Sequence, residues 1–325
     1  MKLTIYALFL IFVFGTFVRA AENFDPMSLH IDMRTHRGDG EWNWTPTVDF
    51  QVRGGTAEGV KFKIDIAGPT GKTLFAMQCV HNGDADSVYV EVDDCGHQIP
   101  YETATTSSGL HSFKITHGGS GQVLYSGKFT INKFLYNPTG LPKFAKNFYY
   151  YTDYDWRLPV VYVGRWAEEG MPLRLMCWIW IKGEYDKARP ITQLFYKGKM
   201  VAEGDYNIDA GYTPEENYAN HYTKMRFRFK AMVNAPNGGG WNWWKLYENP
   251  GEYEIKLLRG TEVARFVKFN IGPDGYVVQN GLGNEIRNNI YSGIMLQGTV
   301  TGSVEGKVDP AKYKFGWWGN PISGF

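Results

Sequence analysis

Apolar and polar residues alternate along most of the chain with the period of two that a half-buried strand imposes. The pattern is clearest in Val60–Ile66 (VKFKIDI), Ser87–Val92 (SVYVEV), His111–Thr116 (HSFKIT), Lys224–Val233 (KMRFRFKAMV) and Tyr253–Leu258 (YEIKLL). These runs are rich in β-branched and aromatic residues, which pack well on a pleated surface. Gly-rich turns separate them at intervals of about ten residues, the spacing of a sandwich or barrel. Helix-start signals gather only at Thr213–Tyr222, with Thr213 placed to cap, Pro214 in the first turn and Glu215 and Glu216 at the positive end of the dipole. The pattern predicts an all-β protein.

Two stretches recur in the same order. Val48–Ile66 parallels Val160–Ile179, each a strand, a loop ending Glu-Gly and a second strand. Ser108–Ile131 parallels Pro250–Ile271, each a hairpin with Gly at its entry and turn. The reading is two tandem immunoglobulin/fibronectin-like β-sandwich domains from an internal duplication, over 21–137 and 138–273. A Gly-rich, aromatic C-terminal tail follows over 274–325. The boundary falls near Lys133–Phe144 (KFLYNPTGLPKF), where two prolines and a glycine punctuate the chain. Gly59 and Gly109 are 50 residues apart, Gly170 and Gly251 are 81 apart. The second copy therefore carries about 31 extra residues, assigned to enlarged loops within 182–188, 204–222 and 235–250. The tail either packs on the second sandwich or is donated as a strand to a neighbouring molecule, with Trp317-Trp318 as anchor. Packing within the chain carries the smaller ordering cost.

The hairpin Pro250–Gly272 (PGEYEIKLLRGTEVARFVKFNIG) resembles the closing hairpin of immunoglobulin-like or fibronectin-type modules in bacterial exported proteins. The resemblance covers a few strands. It implies a sandwich and brings no functional residues with it.

Composition adds an address. Residues 1–20 join a basic start at Lys2, an apolar run from Ile5 to Val18 and small residues at Val18 and Ala20, the layout of a secretory signal peptide. No later run is comparably apolar, so no transmembrane segment is expected in the mature chain. Without Lys2 and Arg19 the 34 basic residues fall to 32 against 33 acidic ones. Such a balance offers no global field for nucleic acid. Export permits disulfides. Cys79 and Cys95 flank a turn-plus-strand span and are the expected pair, while Cys177 lies in the apolar run LRLMCWIWI and reads as a buried small hydrophobe.

Candidate chemistry is sparse. The seven histidines form neither H-x-H nor HExxH, and no metal site or cofactor is implied. His111 and His117 read as surface residues of one strand. Asn82–Ser87 with Asp93 and Asp94 offers hard oxygens but reads as a polar turn. Glu168-Glu169, Glu215-Glu216 and Asp153–Asp155 could supply the two carboxylates of glycoside hydrolysis, though solvation and helix-start roles account for them. Arg37-Gly38-Asp39 is a short receptor-type tripeptide with a high rate of chance occurrence.

Aromatic residues, at 16%, are the distinctive feature. Trp and Tyr concentrate in Glu41–Trp44, Phe148–Trp156 and Gly238–Tyr247 beside Gly, Asn and Asp. Flat apolar rings with amide and carboxylate neighbours suit stacking against sugars. Rings that plug the sandwich ends are the structural alternative. The expected ligand platform is Trp241, Trp243, Trp244 and Tyr247, with Asn242 as polar partner. The functional expectation is an exported, non-catalytic binding or adhesion protein contacting glycan or a protein surface. The alternatives are a structural subunit of an extracellular or cell-envelope assembly, self-associating through edge strands and the tail, and a glycan-active enzyme.

Overall fold

A computed structural model of the chain describes residues 24–37, 40–53, 60–80, 89–95, 99–136, 147–166, 174–183, 189–212, 222–231, 244–246, 248–278, 286–287, 291–301 and 317–320. Over these residues the protein is all-β, its strands interrupted by two single 3-10 turns. Internal contacts divide it into two units, residues 1–152 and 153–325. The expected leader at 1–20 and most of Thr213–Tyr222 lie outside the described residues. Tyr222 itself opens a strand.

The first unit holds β1 (Phe24–His36), β2 (Asn43–Arg53), β3 (Lys61–Ala67), β4 (Thr73–Val80), β5 (Tyr89–Cys95), β6 (Gly109–His117), β7 (Val123–Leu135) and β8 (Phe148–Thr152). They form a three-stranded sheet, β1-β2-β5, and a five-stranded sheet, β4-β3-β6-β7-β8. Strict alternation decides which side chains face inward: in β3, Phe62, Ile64 and Ile66 are buried between more accessible neighbours. The two sheets meet through rings. Phe50 of β2 sits edge-on to Phe62 of β3 at 5.4 Å, and Trp44 of β2 tilts against Phe75 of β4 at 5.3 Å. Polar ties cross the same layer. The Tyr150 hydroxyl donates to the Trp42 carbonyl, and the Thr152 hydroxyl donates to the Ile31 carbonyl. Cys79 of β4 and Cys95 of β5 are joined by a disulfide that links the sheets. Closing a span of 16 residues removes about 3 kcal/mol of unfolded-state freedom in the chain-entropy picture.

The second unit holds β9 (Val160–Trp166), β10 (Arg174–Lys182), β11 (Pro190–Tyr196), β12 (Lys199–Tyr212), β13 (Tyr222–Ala231), β14 (Gly251–Arg259), β15 (Glu262–Ile271), β16 (Ile286–Arg287), β17 (Tyr291–Gln297) and β18 (Thr299–Val300). They form one sheet in the order β16-β17-β9-β10-β13-β12-β11-β14-β15-β18. One end strand, β18, which pairs with β15, is separated only by Gly298 from β17, the second strand at the other end, which pairs with β9. The Gly298 amide donates to the Pro159 carbonyl at 2.6 Å, and the Thr301 amide donates to the Ala264 carbonyl at 2.9 Å. One segment thus closes the sheet into a near-barrel. Its interior is filled by side chains such as Val163, Ile179, Leu194, Phe227, Ile255 and Leu296.

Some expectations change here and others hold. The repeated stretches are paired differently: β2 and β3 lie in separate sheets, whereas β9 and β10 are hydrogen-bonded neighbours. Residues 204–212, expected in an enlarged loop, continue β12 and pair with β13. The C-terminal tail supplies β16, β17 and β18 to the second unit's own sheet. Cys177 is a buried free thiol inside the near-barrel, and burial pushes its thiol well above its ordinary range. Among the described residues no helix is long and apolar enough to cross a membrane.

Gly298 has little room for a side chain. A Cβ there would meet the Phe266 carbonyl oxygen at 3.0 Å and the Pro159 carbonyl oxygen at 3.3 Å. Gly298→Val is therefore expected to lower stability by about 1–3 kcal/mol, as overpacking does elsewhere. Urea denaturation measures this, and a wild-type midpoint would mean that the segment is not held between the two ends of the sheet.

Candidate aromatic binding surface

The expected platform is only partly in view. Trp241, Asn242, Trp243 and Tyr247 lie outside the described residues. Trp244 is half-buried and packs on the near-barrel core. Its indole N–H donates to the Tyr253 hydroxyl at 2.8 Å, and that hydroxyl donates to the Asn249 carbonyl at 2.6 Å. Burial pushes the Tyr253 hydroxyl up to about 12. Trp244 itself is fastened to the barrel.

The acidic run Asp153–Asp155 lies in a second aromatic cluster, which is closed. Asp155 opens a 3-10 turn, and its carboxylate accepts from Lys182 Nζ at 2.7 Å and from the Tyr222 hydroxyl at 2.6 Å. All three residues are buried. Behind them the Arg157 guanidinium lies 4.5 Å from the Tyr154 ring and 4.8–4.9 Å from Trp156, Trp180, Trp317 and Trp318. Aromatic faces offset the loss of water around a cation. Trp318 adopts a left-handed φ of 50°, which a bulky residue holds only when its surroundings fix it. The cluster fastens the Trp317-Trp318 pair to the base of the second unit. Its carboxylates face protein groups, not a solvent-filled cleft.

The other aromatic runs converge in the first unit. Trp42, just before β2, and Trp44, within it, were expected in a loop and are buried at 2% and 0% exposure. Antiparallel pairing of β7 with β8 sets Phe134 opposite Tyr149 and Asn132 opposite Tyr151. The Phe134 and Tyr149 rings stack 5.6 Å apart, 12° from parallel. Tyr136 stands edge-on to Tyr149 at 6.4 Å and meets Trp42 at 5.7 Å. Tyr151 backs Phe134 at 6.1 Å. Phe134, Tyr136 and Tyr149 are half-exposed, whereas Tyr151 and Trp42 are buried behind them. Exposed Arg37 sits by two of these rings, its guanidinium 5.2 Å from the Trp42 ring and 6.0 Å from the Tyr136 ring. The result is a ledge of three accessible rings on a rigid two-strand base.

Sequence reasoning missed Phe134 and Tyr136, because Lys133–Phe144 reads as a linker. The signal was the β-prone run Phe134-Leu135-Tyr136, which continues the strand past the expected boundary.

Two further groups bear on chemistry. His111 is buried, contrary to the surface role expected for it; His117 is half-exposed. His111 Nδ1 donates to the Gly109 carbonyl at 2.9 Å, since a carbonyl can only accept, which leaves Nε2 to accept from the Ser107 hydroxyl at 3.1 Å. Burial lowers the affinity of the ring for a second proton. Trp44 and Phe129 wrap the imidazole at 5.8 and 5.7 Å, and the Trp44 indole holds the Ser107 carbonyl at 2.8 Å. This relay ties the loop before β6 to the core. Among the described residues no group of three or more His, Cys, Asp or Glu could hold a metal ion. Residues 82–87, Glu168-Glu169 and Glu215-Glu216 lie outside the described residues, as do Gly38 and Asp39.

No family model matches the chain, and neither a curated protein nor a solved structure matches it.

Asp32 on β1 is the clearest pH-sensitive group. Its partly covered carboxyl is raised from 3.8 to about 6, chiefly by burial and further by the Asp49 charge, against the Met33 amide that donates to it at 2.7 Å. His30, paired across the strands with Asp49, and Arg34 share this face of β1. Folded Asp32 keeps its proton to higher pH than the unfolded chain does, so its contribution is most favourable below about pH 4 and is lost as pH rises to about 6. Asp32→Asn is expected to gain about 1–3 kcal/mol over the native chain at pH 7 and to flatten that decline. Urea midpoints across pH 4–7 measure it; an unchanged slope would mean that the carboxyl is solvated.

Proposed function

We propose that the chain is an exported, non-catalytic binding or adhesion protein that contacts glycan through the Phe134–Tyr136–Tyr149 ledge. The observation that carries this reading is a cluster of three half-exposed aromatic rings, held by β7, β8 and the buried Trp42 and Tyr151. Soluble proteins expose such surface chiefly where something binds. Rings of this kind take the apolar face of a sugar, while neighbouring polar groups meet its hydroxyls. The leader at residues 1–20 supports export, as does the Cys79–Cys95 disulfide, which persists in oxidising compartments. Enclosure of Asp155 and His111 supports a non-catalytic role.

The loop bearing Trp241, Asn242, Trp243 and Tyr247 belongs to the same proposal as a second contact, with Trp244 as its root. The first unit's split of β1-β2-β5 against β4-β3-β6-β7 supports an immunoglobulin- or fibronectin-like module there. The second unit departs from that plan through the closure of its sheet. With β17, β18 and Trp317-Trp318 engaged in their own unit, no observation favours a tail given to a neighbour.

Affinity electrophoresis in gels containing soluble polysaccharide tests the proposal. Tyr149→Ala and Phe134→Ala are each expected to weaken retardation about tenfold, the scale of one lost stacking partner. Retardation unchanged in both variants but lost on Trp241→Ala and Trp243→Ala would move the contact to the second unit. No retardation of the native chain in any polysaccharide would remove the reading.

A further inference from the structure

We infer that the Lys182–Asp155 pair is the site of a covalent cross-link, an amide formed between the two side chains inside the folded chain. The inference goes beyond the glycan reading and does not depend on it. Its ground is the placement of four groups in one closed site of the second unit. Lys182 Nζ lies 2.7 Å from Asp155 Oδ1, and both residues are buried. Tyr222, fully enclosed, donates its hydroxyl to the same oxygen at 2.6 Å. That hydroxyl also lies 3.4 Å from Oδ1 of Asp153, a second buried carboxyl. Each group is fixed by its own element. Lys182 ends β10 and stands opposite Tyr222, the first residue of β13. The Arg259 guanidinium donates to the Lys182 carbonyl at 3.1 Å, and the Asp155 amide donates to Asp153 Oδ1 at 2.9 Å, which sets the 3-10 turn carrying Asp155. The Tyr154 ring walls the site, edge-on to Tyr222 at 5.7 Å and tilted against Trp180 at 5.3 Å.

A nitrogen held at hydrogen-bond distance from a carboxyl oxygen is close to the ~3–3.5 Å approach from which a bond to the carboxyl carbon forms. The step balances within the site. The Lys182 ammonium gives up one proton, its freed lone pair bonds to the Asp155 carboxyl carbon, and a second proton leaves the nitrogen. One carboxyl oxygen departs with both protons as water, so no oxidant or further reactant is consumed. The Tyr222 hydroxyl donates to the Asp155 oxygen on which negative charge gathers during the attack. Asp153, hydrogen-bonded to that hydroxyl, carries protons from the nitrogen to the departing oxygen. The enclosure favours the product. An ion pair keeps two charges away from water at a cost, whereas an amide carries none. The closed surroundings also keep out the water that would hydrolyse it. The link spans a sequence separation of 27 and ties the first residues of the second unit to the end of β10. A covalent tie there suits an exported protein that must hold its fold while bound.

Mass spectrometry of the reduced, denatured chain tests this on the native protein, whatever the variants do. The expected mass is one water below that of the same reduced sequence. Peptide mapping should place the loss in a branched product that joins the Asp155 segment to the Lys182 segment. Lys182→Met, which keeps the length of the side chain and removes the nucleophile, should restore the full mass. Tyr222→Phe keeps the ring and removes the donor, and is expected to leave a measurable share of the chain unlinked. A native chain at its full sequence mass, a water loss mapped to any other residue, or the same loss persisting in Lys182→Met would overturn the inference.

Discussion

A β-sheet leaves a row of unpaired amides and carbonyls at each edge, and the second unit resolves this through one segment. Tyr291–Val300 hydrogen-bonds to β9 along its first part and to β15 along its last, turning from one to the other at Gly298. Closure removes open edges, which otherwise invite pairing with other chains. It also fixes what is inside. Once β9 and β15 are tied to the same segment, the alternating residues of all the strands point at one another and fill the interior. Trp244, the 3-10 turn at Asp155 and the Trp317-Trp318 pair are all fastened to strands of this sheet or to residues packed on it.

The aromatic surplus divides by how each ring's neighbours are satisfied. Around Arg157, five rings enclose a cation and leave no accessible face of it, which suits a structural anchor. In the first unit, Trp42, Trp44 and Tyr150 are sealed into the core, their polar atoms or backbones tied to carbonyls. Phe134, Tyr136 and Tyr149 are half-exposed on the face of β7 and β8 opposite Phe129, Ile131 and Thr152, which are buried, although Tyr151 on their own face is buried too.

Much of the strand content was legible in the sequence. Val60–Ile66, His111–Thr116 and Tyr253–Leu258 alternate cleanly and became β3, β6 and β14. Legibility failed where both faces of a strand are covered. Arg174–Lys182 is buried along nearly its whole length, since Cys177, Ile179 and Ile181 fill the barrel while Trp180 packs outward on Tyr154. It failed again in GDYNIDAGY, whose Gly, Asp and Asn suggest a loop. Gly204 is needed there because a Cβ would overlap the Thr192 hydroxyl, and β13 supplies the partner that local propensity did not. The repeated motifs recorded local strand–loop–strand character, but pairing partners are set by distant segments. The ledge was hidden for the same reason: Phe134 and Tyr149 become neighbours only through the β7–β8 pairing.

Hydrogen exchange resolved at single amides tests the closure most directly. The amides of Tyr291–Gln297 that pair with β9, together with Gly298 and Thr301, are expected to exchange as slowly as those of β13, because they open only when the second unit opens. Rapid exchange of Gly298 and Thr301 while β13 stays protected would show an open sheet and contradict the account.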